Sequence, residues 1–361
     1  MNYKILLTLV SLSASLALPS RVLAQSLEEL PLEVVNYRII QGTNSFGIPL
    51  LRPALWRGKV ASVSSSTRVI TDQDTKSSSP VLSQIPLAPA YLEITASTFD
   101  PKLVGERFEV GVVETRGPLG TKGQIQLISS PWDTRPDVPA SLAGCSYQIH
   151  PHWTLSSFLG TPDKAPLRRA KSIGSADFVR IPSSTSSGKW DSFFIVEDRN
   201  IVGWRNGQLR SGPDAGGVVI PPGVGVQIVV QATIGAEKPL VLMGEARKHA
   251  FRRPLQVGKN LISLGHPRSH SLSSILANRE YGFQAGSNSA DSDEIQFRNH
   301  GRWELLRYVQ DSSRSAEPSW QCLTARYGGI IENLPLLPAQ QAFWIQKVQP
   351  DSDFIIPAPT P

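Results

Sequence analysis

One spacing limits what this chain can fold into. His150 and His266, Asp177 and Asp293, Trp204 and Trp320, and Pro222 and Pro338 are each 116 residues apart. Between these anchors both stretches run from His-Pro through a Leu-Ser-Ser turn to an acidic residue, then alternating apolar residues, two tryptophans and a proline before an apolar run. A β-unit duplicated in tandem accounts for that order, and residues shared by both copies are expected to serve packing before anything else.

The segments around the anchors read as strands. Asp177 to Ile181 and Asp293 to Phe297 alternate apolar and polar residues, and Val226 to Val230 and Phe343 to Ile345 follow their prolines. Such alternation is the period of a half-buried strand. Upstream, Trp56 to Val63 and Arg68 to Ile70 form two arms of a strand pair with serines 64 to 66 at the turn, and Tyr91 to Thr95 and Arg107 to Val112 are further strands. Thr71 to Pro89 is a Ser- and Pro-rich loop. Helix is confined to Thr154–Leu159 and Ser271–Leu276, where a hydroxyl residue precedes a short apolar run and can cap it. The same offset aligns Gln124–Leu127 with Leu240–Met243 and Ser146–Pro151 with Ile262–Pro267. The expected fold is all-β: an N-terminal β domain followed by two tandem homologous β-sandwich or barrel-like modules with short helical caps. Its divisions are 1–24 signal peptide, 25–122 N-terminal β domain, 123–238 module one, 239–350 module two and 351–361 proline-rich tail.

Lys4, the apolar run Ile5 to Leu18 and the small-residue end Val22-Leu23-Ala24 read as a secretory signal cleaved after Ala24. The run is short of the roughly 20 residues that span a bilayer and is broken by Pro19 and Arg21. No later run is long enough to span as a helix, so no transmembrane segment is expected in the mature chain. Removing 24 of 361 residues leaves 337, and losing Lys4 and Arg21 lowers the formal charge from +6 to +4. That mild basicity fits an anionic glycan or a cell-surface component and is too small to argue for nucleic acid. The expected address is periplasmic, cell-surface or extracellular.

Several of these residues resemble a family of uncharacterised exported bacterial β-rich proteins. Asn44, Pro49, Leu50, Arg52 and Pro53, leading into Trp56-Arg57-Gly58-Lys59-Val60, match its opening, and Tyr91 to Thr95, Gly105 to Val110, Trp153-Thr154-Leu155 and Gly244-Glu245-Ala246 match later blocks. Gly258-Lys259-Asn260-Leu261-Ile262-Ser263-Leu264 is similar to the "G-x-N-L-I-S-L" β-modules of secreted bacterial proteins. The resemblance implies structure and an exported address, with no reaction, cofactor or catalytic residue.

Candidate chemistry is sparse. Trp153, Trp190 and Trp303 are the candidates for ligand stacking, since an exposed indole suits a pyranose face. Yet Trp190/Trp303 and Trp204/Trp320 recur as core residues do, and burying one indole removes about 150–250 Å² from water, roughly 4–6 kcal/mol. Trp153 has no counterpart at that offset. Cys145 and Cys322 could bridge in an oxidising compartment, closing a 177-residue loop worth about 5 kcal/mol, or stay as two buried thiols. His150 and His152 stand two apart across Pro151, and Asn288, Asp291, Asp293 and Glu294 lack the glycine and spacing of an EF-hand, so no metal or other cofactor is expected. A hydrolase would need two carboxylates about 5–10 Å apart, for which Asp177, Asp191, Asp293 and Glu304 are the acids available. The expectation is an exported, non-enzymatic structural or adhesive protein of the cell envelope or extracellular space. Glycan binding through exposed tryptophans is the alternative, and polysaccharide hydrolysis a third.

Overall fold

The computed structural model describes residues 32–73, 89–114, 123–130, 137–183, 188–199, 201–207, 212–231, 237–275, 277–299, 302–310, 318–324, 329–330, 336–350 and 352–358. The expected signal peptide, the acidic lead to residue 31, most of the 71–89 loop and the ends of the proline-rich tail lie outside the described residues. The chain is all-β, as its alternation predicts.

β1 (Leu32–Ile39) turns Val35, Tyr37 and Ile39 inward and the residues between them outward. After β2 (Gly42–Phe46) and β3 (Leu50–Leu51) the chain leaves this body to build a closed barrel. The barrel strands are β4 (Trp56–Ser64), β5 (Val69–Asp72), β6 (Ala90–Ala96), β7 (Arg107–Glu114), β8 (Gln124–Ile128) and β9 (Ser146–Pro151), in the order β4-β5-β8-β7-β6-β9. Closure leaves no sheet edge, and Ile70, Leu92, Phe108, Leu127 and Ile149 fill the interior.

The chain then returns to the body it left. β10 (Trp153–Thr154), α1 (Leu155–Leu159), β11 (Phe178–Pro182), β12 (Trp190–Asp198), β13 (Ile201–Asn206), β14 (Val219–Ile220), β15 (Val226–Val230) and β16 (Lys238–Ala246) complete it. Its main sheet runs β13-β12-β11-β15-β2, with β1-β16-β3 as a second sheet. The strand β2, laid down before the barrel, thus pairs with β15, laid down after it, setting Asn44 opposite Ile228. Thr154 caps α1 reciprocally: its Oγ1 accepts from Ser157 N at 3.2 Å, and Ser157 Oγ accepts from Thr154 N at 2.7 Å.

The second body is continuous in sequence: β17 (Phe251–Leu255), β18 (Gly258–Ile262), β19 (His270–Ser271), β20 (Glu294–Asn299), β21 (Arg302–Val309), β22 (Ser319–Cys322), β23 (Gly329–Ile330), β24 (Leu336–Leu337), β25 (Phe343–Lys347) and β26 (Ser352–Ile356). Its main sheet runs β18-β25-β20-β21-β22-β23, with β17-β26 and β19-β24 as pairs.

Like bonds hold the two bodies. Asn44 Oδ1 accepts from Ile40 N, and its Nδ2 donates to the carbonyls of Ile40, Gly42 and, across the sheet, Ile228. Asn260 does the same with Gln256 N and the carbonyls of Gln256, Gly258 and Ile345. Trp204 and Trp320 are 0% and 8% exposed and donate their indole N–H to the carbonyls of Gly160 and Ala277. The contact between the bodies also comes in matched halves. Gly47 N donates to Gln340 O and Ala342 N to Ser45 O, while Ser263 N donates to Gly223 O and Gly225 N to Leu261 O. A Cβ at Gly225 would stand 2.5 Å from the Ala342 Cβ, so this approach requires glycine.

The sequence divisions at 122/123 and 238/239 do not coincide with sheet membership. Gln124–Leu127 and Ser146–Pro151 close the barrel, whereas Leu240–Met243, aligned with the first of these, pairs with β1 in the first body. A division at 122/123 falls between barrel strands and one at 238/239 falls within β16. An offset records distance along the chain, and β-pairing joins strands without regard to it.

Candidate functional site

The outward face of the second body's main sheet collects tryptophans. In β20, Ile295 and Phe297 point into the core, so Gln296 and Arg298 point out. Residues directly opposite in a ladder share a face. Trp344 and Leu305 flank Gln296, and Trp303 lies opposite Arg298, so both indoles rise from this face. Two strands across and two residues along put Trp344 and Trp303 about 12 Å apart at the backbone. Trp190, from β12 of the first body, meets Trp344 edge-on with ring centroids 5.7 Å apart and planes at 86°. Trp303 is 55% exposed, and Trp190 and Trp344 are half-buried.

Of the sequence candidates, the structure therefore brings Trp190 and Trp303 onto one aromatic surface and adds Trp344. The core reading of the recurring indoles applies to Trp204 and Trp320 and not to this pair. Trp344 was legible in principle. It stands between inward Phe343 and Ile345 in a strand, which sends its side chain to the other face.

Trp153 stands apart, and its candidacy as a platform is corrected. Its indole N–H donates to Leu50 O at 2.8 Å, its ring packs against the first body's core, and the Arg52 guanidinium lies 6.0 Å from it. It lines a cavity of about 20 Å³ with Leu50, Tyr91, Pro222, Arg247 and Gly265. That is room for one water and not for a sugar ring. The ladders also give Trp153 a counterpart: it faces Ile220 as His270 faces Leu337.

Beside this cavity the barrel docks on both bodies through buried charge. Arg247 forks onto Glu93, with Nε to Oε1 at 3.0 Å and Nη2 to Oε2 at 3.2 Å, and also donates to Gly265 O. Arg247 and Arg107 lie 4.7 and 5.0 Å from the Phe251 ring centre. Burial pushes the Glu93 carboxyl up, but Arg247, His249 and Arg107 outweigh it and hold it at about 2. Burial pushes His150 down to about 4 and His266 to about 2, and it lowers His249, Glu93 offsetting part of each shift. Both His266 ring nitrogens lack a hydrogen-bond partner among the described residues. Imidazoles whose protonation burial disfavours, packed around a charge-paired fork, hold the docking surface together.

The remaining candidates are structural. Asp177 is buried and accepts from the backbone N–H groups of Arg168 and Gln231 at 2.8 and 3.1 Å. Asp293, also buried, accepts from those of Gln284 and Val348 at 2.8 and 2.9 Å and pairs with Lys347. Carboxylates engaged this way are unsuited to acid–base work. Glu304 accepts from Thr324 Oγ1 at 2.7 Å, and Asp191 lies opposite Ile181 in the other body. Asp291 is bound within its own turn by Asn288 N, Asn288 Nδ2 and Ser287 Oγ. His152 Nε2 is 2.8 Å from Glu109 Oε2. No group of three metal-ligating side chains occurs among the described residues. The proposed bridge is corrected too: Cys145 and Cys322 are free and buried, one in the barrel core and the other in the second body's core. Among the described residues no helix is long and apolar enough to cross a membrane.

No family model, curated protein or solved structure matches the chain.

Proposed function

We propose that this is an exported, non-enzymatic protein of the cell envelope or extracellular space, a duplicated β-unit with a barrel inserted in its first copy, which adheres to glycan through Trp190, Trp344 and Trp303. One observation carries the reading: Trp303, 55% exposed, shares an outward sheet face with Trp344, against which Trp190 is set edge-on. Leaving about half of an indole in water forgoes roughly 2–3 kcal/mol of burial, and a ligand that covers the ring recovers part of it. Pyranose rings have an apolar face that suits such a platform. A backbone separation of about 12 Å lets two indoles serve different residues of one chain of sugars.

Duplication is supported by the like bonds of Asn44 and Asn260, Asp177 and Asp293, and Trp204 and Trp320. These shared residues all serve packing, and of the nominated acids Asp177 and Asp293 are taken by amides and by Lys347, which favours binding over hydrolysis. The apolar leader before residue 25 supports export.

A glycan array probed with the mature protein tests the reading. Trp303→Ala is expected to weaken every positive signal at least about tenfold without lowering the unfolding midpoint, because the ring is not core. Signals unchanged in Trp303→Ala and Trp344→Ala would remove the face from the account.

A further inference from the structure

We infer that the glycan recognised by this face is anionic, carrying uronate carboxylates or sulfate esters; this rests on the glycan-binding reading and adds the ligand's charge. The rows of side chains around Trp344 and Trp303 are unequal in sign. Arg298 lies directly opposite Trp303 on the same face, and exposed Lys259, opposite Gln346, extends the row beside Trp344. Arg180, on the outward face of the first body two residues from the Pro182 that pairs with Trp190, adds a third cation and lies 4.9 Å from the Phe178 ring centre. The carboxylate among the described residues of the second sheet's outward rows is Glu294, and Arg307 engages it through Nε and Nη2 at 2.9 and 2.8 Å. Among the described residues the second sheet's outward rows thus carry Arg298, Lys259 and Arg307 against one carboxylate, Glu294, on a chain whose formal charge of +6 becomes +4 without residues 1–24.

The geometry assigns each group a task. An indole covers the apolar face of a ring, while a guanidinium one cross-strand step away, about 5 Å between Cβ atoms, reaches the ring's edge. Carboxylate and sulfate stand on that edge in sugar acids and sulfated sugars, and a planar guanidinium meets either with paired N–H donors. A neutral glycan would cover the indoles and leave Arg298 without that contact.

Four polymers separate the outcomes when titrated into the mature protein, with tryptophan fluorescence and calorimetry as readouts: dextran, dextran sulfate, alginate and an oligothymidylate. Dextran and dextran sulfate share a backbone and differ in charge. The inference predicts that dextran sulfate and alginate bind at least about tenfold more tightly than dextran, and that raising salt from about 0.05 to about 0.5 M weakens them markedly. Arg298→Gln should reduce affinity for both anionic polymers and leave dextran unchanged, whereas Trp303→Ala should weaken all three; unchanged melting confirms that both variants fold. Equal binding of dextran and dextran sulfate overturns the anionic assignment and leaves glycan binding standing. Failure of all three polysaccharides overturns both. An oligothymidylate bound as tightly as alginate shows that charge alone is read, and likewise overturns the inference.

Discussion

Asn44→Ala and Asn260→Ala form a paired perturbation whose cost can be worked from the structure. In each body one side-chain amide closes a turn, accepting from a backbone N–H and donating to two local carbonyls, and then reaches across the sheet to Ile228 O at 3.3 Å or Ile345 O at 3.4 Å. Ile40 and Gln256 lie at exposed turns, so water can replace the amide there. The cross-strand carbonyl is buried within its ladder, Ile228 between Asn44 and Val179 and Ile345 between Asn260 and Ile295, so it keeps a backbone donor and loses a second hydrogen bond worth about 0.5–1.5 kcal/mol. Adding a fraction of a kcal/mol for each rehydrated bond gives about 1–3 kcal/mol for either substitution. Asn260→Asp should cost at least as much, since it keeps the acceptor for Gln256 N and turns a carboxylate oxygen toward three carbonyls. The assay is urea unfolding followed by circular dichroism and fluorescence, with the midpoint shift read at constant slope. A loss under about 0.5 kcal/mol in either variant, or a large effect in one body and none in the other, would refute the claim that the two amides do the same work.

Three other outcomes follow from the buried charge and the cores. Burial takes His150 from its ordinary 6.5 to about 4, so between those values the unfolded chain binds a proton the native chain does not. Stability should therefore fall as pH falls through that window, by about 3 kcal/mol for this residue, seen as a lower urea midpoint at pH near 4.5 than at neutrality; an unchanged midpoint contradicts it. Arg247→Ala strands Glu93 in a buried site and should cost about 3–5 kcal/mol, a loss that Arg247→Ala combined with Glu93→Gln partly restores. Trp204→Ala and Trp320→Ala should each cost about 3–5 kcal/mol, whereas Trp303→Ala should leave thermal unfolding in place.

The sequence disclosed the local part of this fold and little of the long-range part. Alternation marked β4, β6, β7, β11 and β20 because a half-buried strand imposes a two-residue period on its own residues. Thr154 marked α1 because a cap is a contact between residues three apart. The barrel's insertion left no local trace. Asn44 and Asn260 are 216 residues apart, so a comparison at 116 sets Asn44 against the wrong stretch and extends the match into β8 and β9, which belong to the barrel. The aromatic face was half legible. Trp190 and Trp303 recur, but recurrence alone does not distinguish an inward from an outward indole. Their faces follow only from the neighbours they pair with, Pro182 and Arg298.

An indole-resolved nitrogen–proton correlation spectrum of residues 25–361, recorded with and without alginate, tests the central claim most directly. Core indoles and indoles of the outward face should separate in one experiment: the N–H signals of Trp303, Trp344 and Trp190 move on titration, while those of Trp204 and Trp320, buried rings bonded to the Gly160 and Ala277 carbonyls, stay in place and exchange slowly with solvent. Movement of Trp204 and Trp320, or no movement of Trp303 at saturating polymer, would contradict it.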